Sequence, residues 1–509
     1  MNKNIFYEVL KDDIPEKDVR KSVRNSLVNA LNAEQNKTKT TNGMNAYKST
    51  NSDLLDLYGS IGAMRNRSDS DIIKAFTKAF AEDKLMAVKL SFYARDILQG
   101  LGERRIPRLI WTYLAKNYPD VMRKNMRYIP EFGRWDDMYI FVDTPVENDM
   151  WNIVRTQFEE DCKNMLENKP VSLLAKWLKS VNTSSKTSVA LGRKTANRFG
   201  LNYRQYQKLL SKMRAYIDVL ERKMSSNNWN EIKYQSVPSR AMNIYRKAFY
   251  KHDTDGFSKY IEDVKSGKQK INSGTLYPYD IVEKYMYGGC RRKDDVLEEQ
   301  WKALPNFVDT DDNIMIMADT SGSMCGRPMA TSVGLAIYFA ERNHGAFAGT
   351  FMTFSSRPEF VSIVGNSLME RINNAKSASW QMSTNIEAAF NLVLNTAINN
   401  NVPQSDMPKS IIIITDLQFD RQYCSTDWNF YKDMENRFSQ YGYQIPNIVF
   451  WNVNSVKDTF HTQSNWQGVQ LASGQSASVF KAILENVSLT PYDAMLNVLN
   501  RERYSKISV

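Results

Sequence analysis

The chain has 509 residues, 42% of them hydrophobic and 12% aromatic, and a formal net charge of +11. That length exceeds the roughly 250–300 residues one core can serve, and the apolar content excludes a disordered or fibrous chain, so two or more globular domains are expected. Four scattered cysteines (Cys162, Cys290, Cys325 and Cys424) without CxxC spacing argue against a disulfide scaffold or a zinc site, and no apolar run reaches the length of a membrane span.

Taken in chain order, residues 1–50 are polar and rich in Asn, Lys and Thr, and read as a loosely ordered arm. The arm opens with MNKNIFYEVLKDDIPEKDV, which lacks the apolar core of a secretory signal. The expected setting is therefore intracellular and cytoplasmic, and virion association would leave no signal of its own. Residues 51–285 are helical nearly throughout. In the stretch from Ser68 to Gln99, Ile73, Phe76, Phe80, Met86, Leu90 and Tyr93 recur at three- and four-residue spacing, with Asp69 or Ser70 placed to cap the start. Further helices are predicted over 106–117, 148–167, 171–179, 203–224 and 239–250. Their short Gly- or Pro-containing links suggest antiparallel pairs stacked as an α-solenoid, although no fixed-period repeat is visible. Residues 286–312 read as a linker. From 313 to 490 the texture changes: strand-length apolar runs at 314–318, 349–354, 410–415 and 448–453 alternate with helices near 328–343, 385–398, 428–440 and 476–486. Such alternation predicts βαβ units around a buried parallel sheet. Residues 491–509 form a C-terminal helix and tail. The expected fold class is thus multidomain, an all-α helical-repeat module followed by a doubly wound α/β domain.

The sequence IMIMADTSGSM places Asp319, Ser321 and Ser323 in the loop after an apolar strand. In an open α/β sheet, ligands bind beyond the carboxyl ends of the strands. The strand SIIIIT ends at Asp416, and Thr384 precedes another helix. This all-oxygen set suits one divalent cation, Mg²⁺ first and Mn²⁺ or Ca²⁺ as alternatives, and not zinc. The competing structural reading makes Asp319 a cap for the helix beginning near Arg327.

Asp319, Ser321, Ser323, Thr384 and Asp416 resemble, by residue type and placement, the metal-ion-dependent adhesion site (MIDAS) of von Willebrand factor A domains. The resemblance implies an open coordination position that a partner's acidic group fills. Together with the helical half, the stretches YARDILQGLGERRIPR, FGRWDDM, LLAKWLKSVNTSSK, WNEIKYQSVPSRAM and ADTSGSM resemble the Ro autoantigen class, whose TROVE module is a helical-repeat ring closed by an A domain. They are more similar still to a sister family of phage, giant-virus and plant proteins. The likeness covers roughly residues 85–490. The helical half departs too far from Ro proteins for RNA contacts to be carried over position by position.

Charge divides unevenly: residues 1–300 hold 52 Lys+Arg against 38 Asp+Glu, and residues 301–509 hold 15 against 18. A basic half of +14 is the footprint of a nucleic-acid surface, or of a merely solvated Lys-rich one. Two segments fit phosphate binding. One holds Arg104, Arg105 and Arg108 at a turn and helix start, where backbone N–H groups favour anions. The other holds Lys176, Lys179, Lys186, Arg193, Lys194, Arg198, Arg204, Lys208 and Lys212, interleaved with Trp177, Phe199, Tyr203 and Tyr206. The alternatives are internal pairing of the arginines with Asp96, Asp136 or Asp137, and core roles for the aromatics. Three histidines in no paired arrangement, and the absence of a phosphate loop or nucleophile elbow, argue against an enzyme. The reading that follows is a non-catalytic RNA-binding protein, a ribonucleoprotein component taking structured RNA or RNA with a single-stranded end. The alternative is an interaction or assembly component, with a composition that suits a phage protein, that binds acidic groups through the metal.

Overall fold

A computed structural model describes residues 26–378, 380, 383–422 and 427–509. Residues 1–25 of the expected arm, and Cys424, lie outside the described residues. The chain folds as a helical N-terminal part and a C-terminal α/β part.

In the C-terminal part, β3 (Ile314–Ala318), β4 (Thr350–Thr353), β5 (Phe360–Ser362), β6 (Ser410–Thr415), β7 (Asn447–Asn452) and β8 (Val469–Ser473) form one sheet in the order β5-β4-β3-β6-β7-β8. Every residue of β3, β6 and β8 is buried, as expected of strands covered on both faces. The sheet is mixed: β5 pairs antiparallel with β4 at the edge. Neither β5 nor β8 was expected, because three residues are too few for a period and VQLAS is weakly apolar. Chain order reverses between β3 and β6, so the two central strands open a crevice at their carboxyl ends.

In the helical part, helix Ser26–Asn36 leads into hairpin strands β1 (Lys37–Lys39) and β2 (Asn45–Tyr47), which corrects the expectation of a loose arm for this stretch. Met44, Ala46 and Tyr47 are buried, so a polar sequence is held by a neighbour that local composition does not reveal. The long helix expected from Ser68 breaks into Asp69–Glu82 and Lys84–Arg95. Ser68, not Asp69 or Ser70, caps the first by accepting from Asp71 N–H, and Asp83 caps the second by accepting from Met86 N–H at 2.9 Å. The stretch 203–224 likewise splits, into Tyr203–Tyr216 and Leu220–Ser225.

The two parts share one continuous hydrophobic core, with a smaller cluster around Phe249 and Phe257. Helix Pro278–Met286 lies on helix Arg327–Ala340, where a Cβ at Gly334 would sit 3.3 Å from Pro278. The expected linker is therefore a packed element: helix Asp295–Lys302 buries Val296, Leu297 and Trp301. The tail is packed too. Tyr504 is fully buried and donates to Asp96, whose carboxylate also accepts from Arg503 at 2.8 Å. Ser508 N–H donates to Asn125 at 3.0 Å.

Candidate functional site

Asp319 follows β3, and its N–H donates to Ile414 O at 2.9 Å, prolonging the β3–β6 ladder into the crevice. Its Oδ1 accepts from Ser321 N–H at 2.9 Å and its Oδ2 from the Thr415 hydroxyl at 2.7 Å. The Ser321 and Ser323 hydroxyls are 3.1 Å apart. The helix that Asp319 was alternatively expected to cap starts after Gly326, at φ +86, with no side-chain cap. Asp319 is thus committed to the crevice and not to the helix end.

Asp416 follows β6, one strand away. Its Oδ1 accepts from Gln418 N–H at 3.1 Å, while no donor satisfies hydrogen-bond geometry at its buried Oδ2. An unpaired buried carboxylate oxygen is costly. Burial, and secondarily the neighbouring Asp416, push the Asp319 carboxyl up to about 7. Burial pushes Asp416 up as well, with the nearby Ser323 hydroxyl opposing. Two buried carboxyls that each resist ionisation, flanked by two hydroxyls, fit a small hard cation that would hold both ionised. Among the described residues no group of three or more His, Cys, Asp or Glu could hold a metal; the set here has two carboxylates, and its other donors are hydroxyls.

Thr384 is adjacent but tethered elsewhere. Its hydroxyl lies 2.9 Å from Gln418 O and 3.1 Å from Asp420 Oδ1, and its N–H donates to Asp420 Oδ2 at 2.7 Å. Gln418 and Asp420, which sequence reasoning missed, join Thr384 to the Asp416 loop. Between them and Asp416, buried Leu417 adopts φ +65, a left-handed conformation costly for a side chain of this size.

The expected anion sites sort differently. The turn at Gly100–Arg104 offers few open amides: the N–H groups of Leu101, Gly102 and Glu103 donate to Tyr93, Asp96 and Ala94 carbonyls. Arg104 pairs with Asp136 at 2.6 Å, Arg108 with Asp136 and Asp137, and Arg105 with Asp69. Lys194 pairs with Asp143 and Glu147, and Arg198 with Glu147. Phe199 and Tyr206 are core residues, the first stacked on Phe158 at 4.6 Å. Lys186, Arg204, Lys208 and Lys212 are exposed and have no ion pair among the described residues. Arg193 lies over Tyr203, Lys176 over Trp177 and Lys179 over Tyr139.

Lys176 and Arg104 also line a cavity of about 1370 Å³ in the helical part. Arg95, Arg134, Arg214, Arg222 and Arg240 complete its basic wall; Glu221 is the one acidic residue among its lining residues. Arg134 lies 4.1 Å from the face of half-buried Trp177. An open depression of about 790 Å³, lined by Arg204, Lys208 and Lys212, shares Arg222 with this cavity. These cations are scattered over more than a hundred residues, so no run of charge could have announced them.

Residues 40–169 and 171–311 match the family described as Domain of unknown function (DUF2828), and residues 313–506 match Domain of unknown function (DUF7788). The chain is similar to Uncharacterized protein L728 of Acanthamoeba polyphaga mimivirus, 30% identical over 500 residues, which span 90% of this chain and 86% of that protein. Among the described residues no helix is long and apolar enough to cross a membrane.

Proposed function

This chain belongs to the DUF2828 family, and from that premise we propose that it is a non-catalytic, intracellular RNA-binding protein with a divalent cation in its C-terminal domain. In this reading the C-terminal domain is a von Willebrand A-type fold. Asp319, Ser321, Ser323 and Asp416 hold Mg²⁺, and Thr384 completes the set from the adjoining loop. The helical part is a TROVE-like repeat module that carries the RNA.

The observation that carries the RNA reading is the basic cavity with Arg134 on the Trp177 face and seven Lys or Arg side chains among its lining residues. Phosphates favour such an excess of positive charge, and bases favour an aromatic face beside it. The orphaned Asp416 oxygen supports the cation.

The test is RNA affinity across a salt series in Mg²⁺ buffer, using a structured RNA with a single-stranded 3′ end. Tight binding that weakens steeply with salt is expected. Reversing Lys176 and Arg222, which have no ion pair among the described residues, to Glu should lower affinity and flatten the slope more than reversing Arg193, Lys194 and Arg198, two of which already have internal partners. No binding by the wild-type chain at low salt would refute the RNA reading and favour an assembly component that takes acidic protein groups at the cation.

A further inference from the structure

The hairpin of β1 and β2 does more than cover apolar surface. Its turn reaches the two loops that carry Thr384 and the residues after Asp416. Asn42 Nδ2 donates to the Thr384 hydroxyl at 3.0 Å and to Gln418 O at 2.7 Å. Thr41 N–H donates to Gln418 Oε1 at 2.8 Å, and the Thr40 hydroxyl donates to Phe419 O at 2.6 Å. Arg421 N–H returns a bond to Asn42 O at 3.1 Å. At the hairpin's far end Tyr47 and Phe460 exchange backbone hydrogen bonds at 2.8 and 2.9 Å. The segment is therefore added to the 417–421 loop by backbone and side chain together, more than 340 residues away in sequence.

Gln418 is the junction. Its N–H holds Asp416 Oδ1, its carbonyl receives both Asn42 and Thr384, and its side-chain oxygen receives Thr41. The Thr384 hydroxyl has one proton, directed at Gln418 O or Asp420, and two lone pairs. Asn42 occupies one lone pair, which leaves the other for a cation. The hairpin thus fixes how the hydroxyl is turned without filling the coordination position itself.

We propose that the hairpin is a working part of the metal centre, that Asn42 is a positioning residue for Thr384, and that hairpin docking and cation binding are thermodynamically coupled. This rests on the reading that Asp319 and Asp416 bind a cation. Coupling of this kind is reciprocal: if the docked hairpin tightens the cation, the cation must tighten the hairpin by the same factor. The arrangement also makes the N-terminal segment a reporter of metal occupancy, since loss of the cation loosens the loop it is attached to.

The experiment uses the full chain with Mn²⁺ as probe. Calorimetry gives the affinity of wild type, Asn42→Ala and Thr40→Val. Hydrogen–deuterium exchange follows amides 37–47 with and without Mn²⁺. Asn42 is exposed, so its truncation leaves the fold intact, and Thr40→Val keeps the side-chain shape. The expected result is a fall in Mn²⁺ affinity of about fivefold or more in Asn42→Ala, a smaller fall in Thr40→Val, and slower exchange of the wild-type hairpin when Mn²⁺ is bound. A wild type that binds Mn²⁺ with unchanged hairpin exchange, and with Asn42→Ala of equal affinity, overturns the coupling while leaving the metal site standing. A wild type that binds no Mn²⁺ refutes both.

Discussion

Replacing Asp319 by Asn separates a cation site from a buried polar pair, because the two readings give opposite signs. Asp319 is fully buried and its carboxyl is pushed from 3.8 up to about 7. At about 1.4 kcal/mol for each tenfold change in proton affinity, ionised Asp319 costs the metal-free fold up to about 4 kcal/mol above pH 7. A folded-state value raised this way gives stability that is full below pH 3.8 and lost as pH rises to about 7. Asn keeps an acceptor for Ser321 N–H, and the Thr415 hydroxyl can turn to accept from the new amide. The metal-free variant should therefore melt higher than wild type at pH 8, by up to about 4 °C if unfolding entropy is roughly 2 cal/mol/K per residue. The gap should shrink by more than half at pH 5. Mn²⁺ at about a hundred times its dissociation constant should stabilise wild type by about 2.7 kcal/mol, or roughly 3 °C, and the variant not at all. Scanning calorimetry at both pH values, with and without Mn²⁺, reads all four quantities. A variant that melts lower at pH 8 without metal, yet is stabilised by Mn²⁺ as much as wild type, would refute the reasoning.

Asp96→Ala should cost about 3–5 kcal/mol, since it strands Arg503 and the Tyr504 hydroxyl against a buried site. Deleting residues 501–509 from that variant should add far less than deleting them from wild type, because both changes remove the same contact; additive losses in denaturant titration would break the assignment. Burial alone would raise the Glu147 carboxyl, but hydrogen bonds from Trp151 and the Asp143 N–H, with Lys194, hold it at about 2. Its contribution is therefore present above pH 4.5 and lost as pH falls toward 2, so acid unfolding of Glu147→Gln should be shallower over that interval than that of wild type; identical curves would remove the ion-pair account.

Much of the α/β part was legible because its signals are local. IMIMA and SIIIIT are short apolar runs that only a sheet covered on both faces can bury, and each is followed by its aspartate. Helices such as Arg105–Asn117 and Ser239–His252 show their periodicity within a dozen residues. What the sequence determined by itself was therefore the class of each half and the positions of Asp319, Ser321, Ser323 and Asp416. Only the tertiary structure decided which cations line a cavity and which pair with Asp136, Asp137 and Glu147, Arg104 and Arg134 doing both. It alone brought Asn42 to Thr384, and Arg503 to Asp96. The physical reason is range: strand and helix patterns repeat every two or 3.6 residues, whereas hydrogen bonds and ion pairs join groups hundreds of residues apart that carry no mark of each other in the chain.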